Sequence, residues 1–307
     1  MGRPGRWSAP GLPALLVLLA AGLVPTGARA GTVVVLRSRT LAAYDSAAAG
    51  FRSVHAGPLL DLVLQDREPA ALRREIASVA PDAIVAIGLK AALFAREQFP
   101  RTPLVHCVVQ GPAREELSGV WVTGVSTDLP AALALEGLRA AIPEAHRVAV
   151  FYGARTGVAF AQSAGRAASA IGLELVKVPI DDLQQFAEVA QRAAAQVDVL
   201  WMPADAAIAA PEPFHFLLEL SIRRSKPLFV FSDALVRQGA LAAVIPDYAF
   251  TGVQAAAAVR RIQAGERPGD IPVAAVSRTR LVVNRLTAKA LGHDVPPSLR
   301  RVAEVVP

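Results

Sequence analysis

Two carboxylates stand where a chain could meet a ligand. Asp205 follows Trp201-Met-Pro-Ala, and Asp233 follows Leu228-Phe-Val-Phe-Ser, each just past a short apolar run. A carboxylate at such a strand end can accept hydrogen bonds from an ammonium group, or it can cap a turn or helix through backbone N–H groups. Uncharged hydrogen-bonding groups occupy comparable places: Ser38, Gln110, Ser126 and Ser232 end or follow apolar runs, and Tyr44 adds a flat apolar face with a polar tip. Gly88-Leu89 closes another such run, with Lys90 beside it read as solvated. The chemistry this set suits is non-covalent capture of a small, polar, amino-acid-like molecule, with its cation at Asp233 or Asp205.

Markers of catalysis are missing from the sequence. Gly-Lys never occurs, so there is no phosphate loop, and neither GxGxxG nor GxSxG is present. His55, His106, His146, His215 and His293 are scattered without metal-ligand spacing. His106 and Cys107 are adjacent in an apolar run, and neighbouring strand side chains point to opposite faces, so they cannot work as base and nucleophile. Asp181-Asp182 precedes a helical pattern and reads as a cap. Asp205 and Asp233 fall in the same half of the chain, which does not favour an acid and base facing each other. No catalytic residue, metal or cofactor is expected.

The elements that must position these groups repeat. Val33 to Ser38 is matched by Val148 to Gly153, Leu60 to Leu64 by Leu173 to Val178, Asp82 to Gly88 by Asp198 to Ala204, and Thr102 to Gln110 by Lys226 to Asp233. Each is an apolar run followed by a helical pattern, which predicts α/β architecture; the ordered match predicts duplicated lobes. Parallel strands present their ligand loops at their carboxyl ends, where all the groups named above lie. After the second set, Gly239 to Ile245 reads as a strand, Tyr248 to Gly265 as a helix and Arg280 to Asn284 as a last strand, so the chain re-enters both lobes and forms a hinge of several strands.

At the N-terminus, Arg3 and Arg6 precede an apolar stretch from Gly11 to Val24 and then Ala28-Arg-Ala30. This is the pattern of a cleaved secretory leader, and about fourteen apolar residues are too few for a bilayer span. Cleavage after Ala30 would remove three of the arginines and leave 29 basic against 26 acidic side chains. So slight an excess, with no basic run interleaved with aromatics, predicts no nucleic-acid partner. Cys107 is the lone cysteine, so neither an internal disulfide nor a lipid anchor at a mature N-terminal cysteine is expected.

Several stretches, taken in order, carry a family resemblance: Asp82 to Gly88, Val122 to Ser126, Gly239-Ala-Leu241, Asp247-Tyr248 with Gly252, and Leu281 to Gly292 with Pro296-Pro297-Ser298. In these the sequence resembles the ABC transporter substrate-binding proteins of the tryptophan-binding-protein-like group. The resemblance implies a type I periplasmic binding fold: two similar doubly wound parallel-sheet lobes, α/β, joined by a multi-strand hinge. With it come the expected domains, namely a leader at 1–30, one lobe at 31–126 plus 242–277, and the other at 127–241 plus 278–307. The expected partners are a small-molecule ligand and an ABC permease at the inner membrane, and the expected state is a periplasmic monomer. A sensor that docks a membrane receptor kinase, or an enzyme on a two-lobed scaffold, are the other readings. Asn284, the single Asn of the chain, is read as structural.

Overall fold

The computed structural model describes residues 1–2, 31–109, 117–293, 299 and 303–306. The chain divides into two compact units, Met1–Ala30 and Gly31–Pro307, and all the described secondary structure belongs to the second. The expected leader, apart from Met1 and Gly2, lies outside the described residues.

Two sheets are formed. The first contains β1 (Val33–Arg37), β2 (Leu59–Val63), β3 (Ala83–Ile87), β4 (Leu104–Val109) and β5 (Val122–Ser126), all parallel in the order β2-β1-β3-β4-β5. The second contains β6 (Arg147–Gly153), β7 (Glu174–Ile180), β8 (Val199–Trp201), β9 (Leu228–Val230), β10 (Ala242–Pro246), β11 (Thr279–Asn284) and β12 (Glu304–Val306), in the order β12-β11-β10-β9-β8-β6-β7. The pairing of β10 with β11 is antiparallel and all the others are parallel. From their edges, β2-β1-β3-β4-β5 and β7-β6-β8-β9-β10 are one winding made twice.

Helices cover both faces of each sheet: α1 (Ala42–Val54), α2 (Pro69–Ser78), α3 (Leu89–Gln98), α4 (Ala131–Ala141), α5 (Val158–Ala170), α6 (Phe186–Ala194), α7 (Pro211–Arg224), α8 (Asp233–Arg237), α9 (Tyr248–Gln263) and α10 (Arg285–Ala290). Alternation along each strand divides its side chains between two cores. Val33, Val35, Val85 and Cys107 pack with Ala47 and Phe51 of α1 and Ala255, Ala256 and Val259 of α9, while Val34, Leu36 and Ile84 pack with Leu72 and Ile76 of α2 and with α3. In the second sheet Val148, Val150 and Trp201 meet α4 and α5, and Ala149, Phe151 and Leu200 meet α6 and α7.

The strand Ala242–Pro246, given to the first lobe by the sequence reading, lies in the second sheet. It pairs with β9 and β11. The reason is the repeat itself: β10 is the fifth strand of its winding, as β5 is of the first, and an apolar run carries no mark of which sheet it will join. The chain leaves each winding only after its fifth strand, passing from β5 to α4 on the second sheet and from β10 to α9 on the first. A third crossing follows Ala274, which bridges Val125 beside β5 before β11 begins in the second sheet. The strand read as last, β11, is followed by β12.

Helix α9 lies against α1 at backbone distance. A Cβ on Gly252 would stand 1.9 Å from the Ala47 carbonyl oxygen, and one on Gly50 would stand 1.9 Å from that of Ala249. Only glycine permits this approach.

Candidate functional site

In the first winding the strand order reverses between β1 and β3, the place where doubly wound sheets open a crevice beyond their carboxyl ends. Ser38 follows β1 and Gly88 follows β3. The Ser38 N–H donates to the Ile87 carbonyl at 2.9 Å, and its hydroxyl accepts from the Ala91 N–H at 2.9 Å. Ser38 therefore caps the first turn of α3, where Gly88 offers no side chain of its own. Gly88 has φ +88°, and a Cβ there would come within 2.7 Å of the Ser38 hydroxyl and the Tyr44 ring. Ser38, Tyr44 and Gly88 are thus brought together as one wall.

Leu89 and Lys90, the next residues, are exposed at the start of α3. Arg37 steadies the turn that carries Tyr44: it pairs with Asp45 of α1 at 2.6 Å and with Asp61 of β2 at 3.0 Å. Beyond β4, Gln110 lies outside the described residues. Ser126 is buried at the first crossing; its hydroxyl accepts from the Asp128 N–H at 3.1 Å and its N–H donates to Ala274 at 2.7 Å. It is placed in the hinge strands rather than on the Ser38 wall.

The second winding separates the two carboxylates. Asp205 accepts from the Gly153 N–H at 3.0 Å, the Thr156 hydroxyl at 3.0 Å and the Ala207 N–H at 2.9 Å. A carboxylate has about four acceptor positions, so most of its capacity goes to strapping the β6 and β8 loops together. Ser232 caps α8 through the Leu235 N–H at 3.4 Å. Asp233, half-buried, starts α8, and its side chain has no hydrogen-bond or ion-pair partner among the described residues. Arg237, on the same helix, pairs with Glu304 of β12 at 2.6 Å, and Arg280 of β11 pairs with the same carboxylate.

Tyr248, the first of α9, packs on the core of the second lobe next to α8. Burial pushes its phenol up to about 12, the charges of Asp233 and Tyr44 add to the rise, and Arg280 opposes it. Tyr44 of the first lobe and Asp233 of the second thus both act electrostatically on that hydroxyl. Sequence reasoning noted Asp247-Tyr248 only for its family resemblance. The available signal was position: Asp247 ends an apolar strand and caps a helix, through the Phe250 N–H at 3.1 Å.

The other polar groups lie apart. Asp182 caps its turn through the Gln184 N–H at 2.9 Å, and Asn284 caps α10 while donating to the Val236 carbonyl at 2.9 Å, a structural role. Cys107 is buried and its thiol is pushed up to about 12 by burial. A 310 Å³ cavity lined by His106, Leu117, Val122 and Ile271 sits by the first residue of β5, at the other end of the sheet from Ser38 and Gly88. Among the described residues no three His, Cys, Asp or Glu side chains group as a metal site, and no helix is long and apolar enough to cross a membrane.

Two similar doubly wound lobes, with the chain crossing between them three times, define a two-lobed α/β binding-protein fold. The chain belongs to the ABC transporter substrate binding protein family, whose model matches residues 65–306. It is a binding protein for small molecules rather than an enzyme. A tyrosine-binding protein of Clostridioides difficile (strain R20291) is 26% identical over 218 residues, which is 68% of this chain and 63% of that relative, so less than two thirds of its length is spanned. The fold is similar to the ligand-free, open structure of a substrate binding protein with adhesive properties from Clostridium difficile, with a TM-score of 0.71 at 22% identity, covering 90% of this chain and 99% of that one. It is also similar to an ABC domain in complex with L-Trp from Streptococcus pneumonia, with a TM-score of 0.59 at 21% identity and the same coverage.

Proposed function

We propose that this chain is an exported solute-binding protein that closes two lobes on an amino acid and delivers it to an ABC importer. The leader ends at Ala30, and the mature protein acts outside the cytoplasmic membrane. One lobe consists of 31–126 with 247–277, the other of 127–246 with 278–307, and closure bends the three crossings between them. Ser38, Tyr44, Gly88 and Leu89 line one wall of the cleft, and Ser232 and Asp233 line the other. The observation that carries this reading is the Asp233 carboxylate, which has no hydrogen-bond or ion-pair partner among the described residues, while Arg237 of the same helix is paired with Glu304. A carboxylate desolvated on closure needs a counter-charge, and an amino-acid ammonium supplies one. Relatives named for tyrosine and crystallised with L-Trp support this ligand class.

A thermal-shift screen of the twenty amino acids, followed by calorimetric titration of the parent and Asp233→Ala, tests the reading. Removing one member of a buried charge pair costs about 2–5 kcal/mol, so affinity should fall by roughly thirtyfold or more. Binding within about threefold of the parent would exclude Asp233 as the anchor, because a tenfold loss corresponds to ~1.4 kcal/mol.

A further inference from the structure

We infer that Val108 is a positioning residue of the cleft: a strained bulge at this residue ties the Gly88 wall to the first crossing and keeps the two in one fixed relation. The inference rests on the reading of Ser38, Tyr44 and Gly88 as a wall of the cleft.

The bulge shows in the register of β4 on β5. His106 stands opposite Gly124 and Val109 opposite Ser126, so β4 advances three residues while β5 advances two. The extra residue is accommodated at Val108, which has φ +54° and is the only β-branched residue at positive φ among the described residues. Alternation breaks at the same place: Cys107 and Val108 both pack on the core of α1 and α9, and Val109 on that of α2 and α3. Left-handed backbone is strained for a β-branched side chain, and such strain persists only where the surroundings over-determine it.

Two hydrogen bonds supply that constraint. The Cys107 carbonyl accepts from the Gly88 N–H at 2.9 Å, and the Val109 carbonyl accepts from the Thr127 hydroxyl at 3.0 Å. Gly88 belongs to the wall, where its own backbone, at φ +88°, lies against Ser38 and Tyr44. Thr127 is buried and follows β5 directly, on the chain that leaves for α4. Val109 is fixed by its pairing with Ser126 and by burial, so the backbone of Val108 sets how the wall stands to the crossing. A side chain stiffens that link where glycine would leave it slack, and a wall held in place beforehand loses less freedom when ligand binds.

Hydrogen exchange of the ligand-free mature chain, followed by NMR, tests the link, and calorimetric titration with the amino acid that gives the largest thermal shift tests its use. Thr127→Val removes the donor and keeps the shape; it should speed exchange of the Gly88 amide at least about fivefold in the parent and less than about twofold in Val108→Gly, where the link is slack. Val108→Gly should melt within about 4 °C of the parent, because relief of strain offsets lost packing and added chain freedom. It should nevertheless bind at least about fivefold more weakly, a split that a merely structural role would not give. Val108→Asn, a residue that takes left-handed backbone readily, should bind within about twofold of the parent. Val108→Gly that binds like the parent would overturn the inference, and so would Val108→Asn losing as much as Val108→Gly, since the side chain and not the backbone would then matter. Gly88 exchange unmoved by Thr127→Val in the parent would overturn it too, and this arm decides if Val108→Gly does not fold. Exchange is read without ligand, so a parent that binds none of the twenty amino acids would defeat the proposed ligand class while the link is still decided.

Discussion

Replacing Asp205 by Ala separates the strap from the anchor. The carboxylate holds three donors, at 3.0, 3.0 and 2.9 Å. Hydrogen bonds to a charged group contribute about 1.5–3 kcal/mol each when shielded, but the bonds from Thr156 and Ala207 are exposed to water, which would replace the lost acceptor. The Gly153 N–H is part-buried, at the end of β6, and would be left without its acceptor. The expected loss of stability is therefore about 2 kcal/mol, dominated by that one donor. At 2–4 °C per kcal/mol for a lobe of this size, melting should fall by roughly 4–8 °C. Affinity for the amino acid found by screening should stay within about threefold, below the tenfold of ~1.4 kcal/mol. Calorimetric melting and titration of the same preparation read both quantities. A variant with unchanged melting but tenfold weaker binding would refute this assignment and make Asp205 a ligand contact.

Gly88→Ala places a Cβ 2.7 Å from Ser38 and Tyr44 at a backbone conformation of φ +88° and ψ 160°. Such strain costs on the order of 1–3 kcal/mol, so denaturant unfolding should show about 2 kcal/mol lost, and binding should weaken as the Ser38–Tyr44 wall shifts; stability unchanged within about 0.5 kcal/mol would count against the geometry. At Asp198, burial acts to raise the carboxyl pKa but is outweighed by the Arg147 and His146 N–H groups at 2.8 and 2.9 Å, with Lys226 and the His146 charge adding, so it lies below its ordinary value. A folded-state pKa below the unfolded one means stability that is present above about pH 4 and lost as pH falls through the depressed value. Asp198→Asn should flatten the acid limb of melting temperature against pH, and parallel curves would contradict the shift.

The duplicated winding was legible because it is written locally. Each of the first four strands in a lobe is an apolar run closed by small or polar residues, and the helix over Pro211–Arg224 is marked by Pro at its start and Arg223-Arg224 at its end. What escaped the sequence depends on partners far along the chain. The run at Ala242–Pro246 is apolar enough for either sheet, and only its pairing with β9 decides. Asp205 and Asp233 look alike as strand-end acids; the difference lies in Gly153 and Thr156, about fifty residues away from Asp205, which occupy one and not the other. Tyr248 gave no local sign of packing on the core of the second lobe from a helix docked on the first, because its place is set by where α9 docks.

That docking also fixes the order of assembly. Residues 31–126 supply all five strands of the first sheet, yet Ala47, Ala48 and Phe51 are fully buried only because α9 arrives from beyond residue 247. A nascent or truncated chain ending at the first crossing would expose that apolar helix face to water. The first lobe to emerge from the ribosome is thus the one that waits longest to be sealed, and its sealing contact has a sequence separation of about two hundred residues. Contacts of that range slow folding, so the glycines that let α1 and α9 touch hold the complete core back until most of the second lobe has been made.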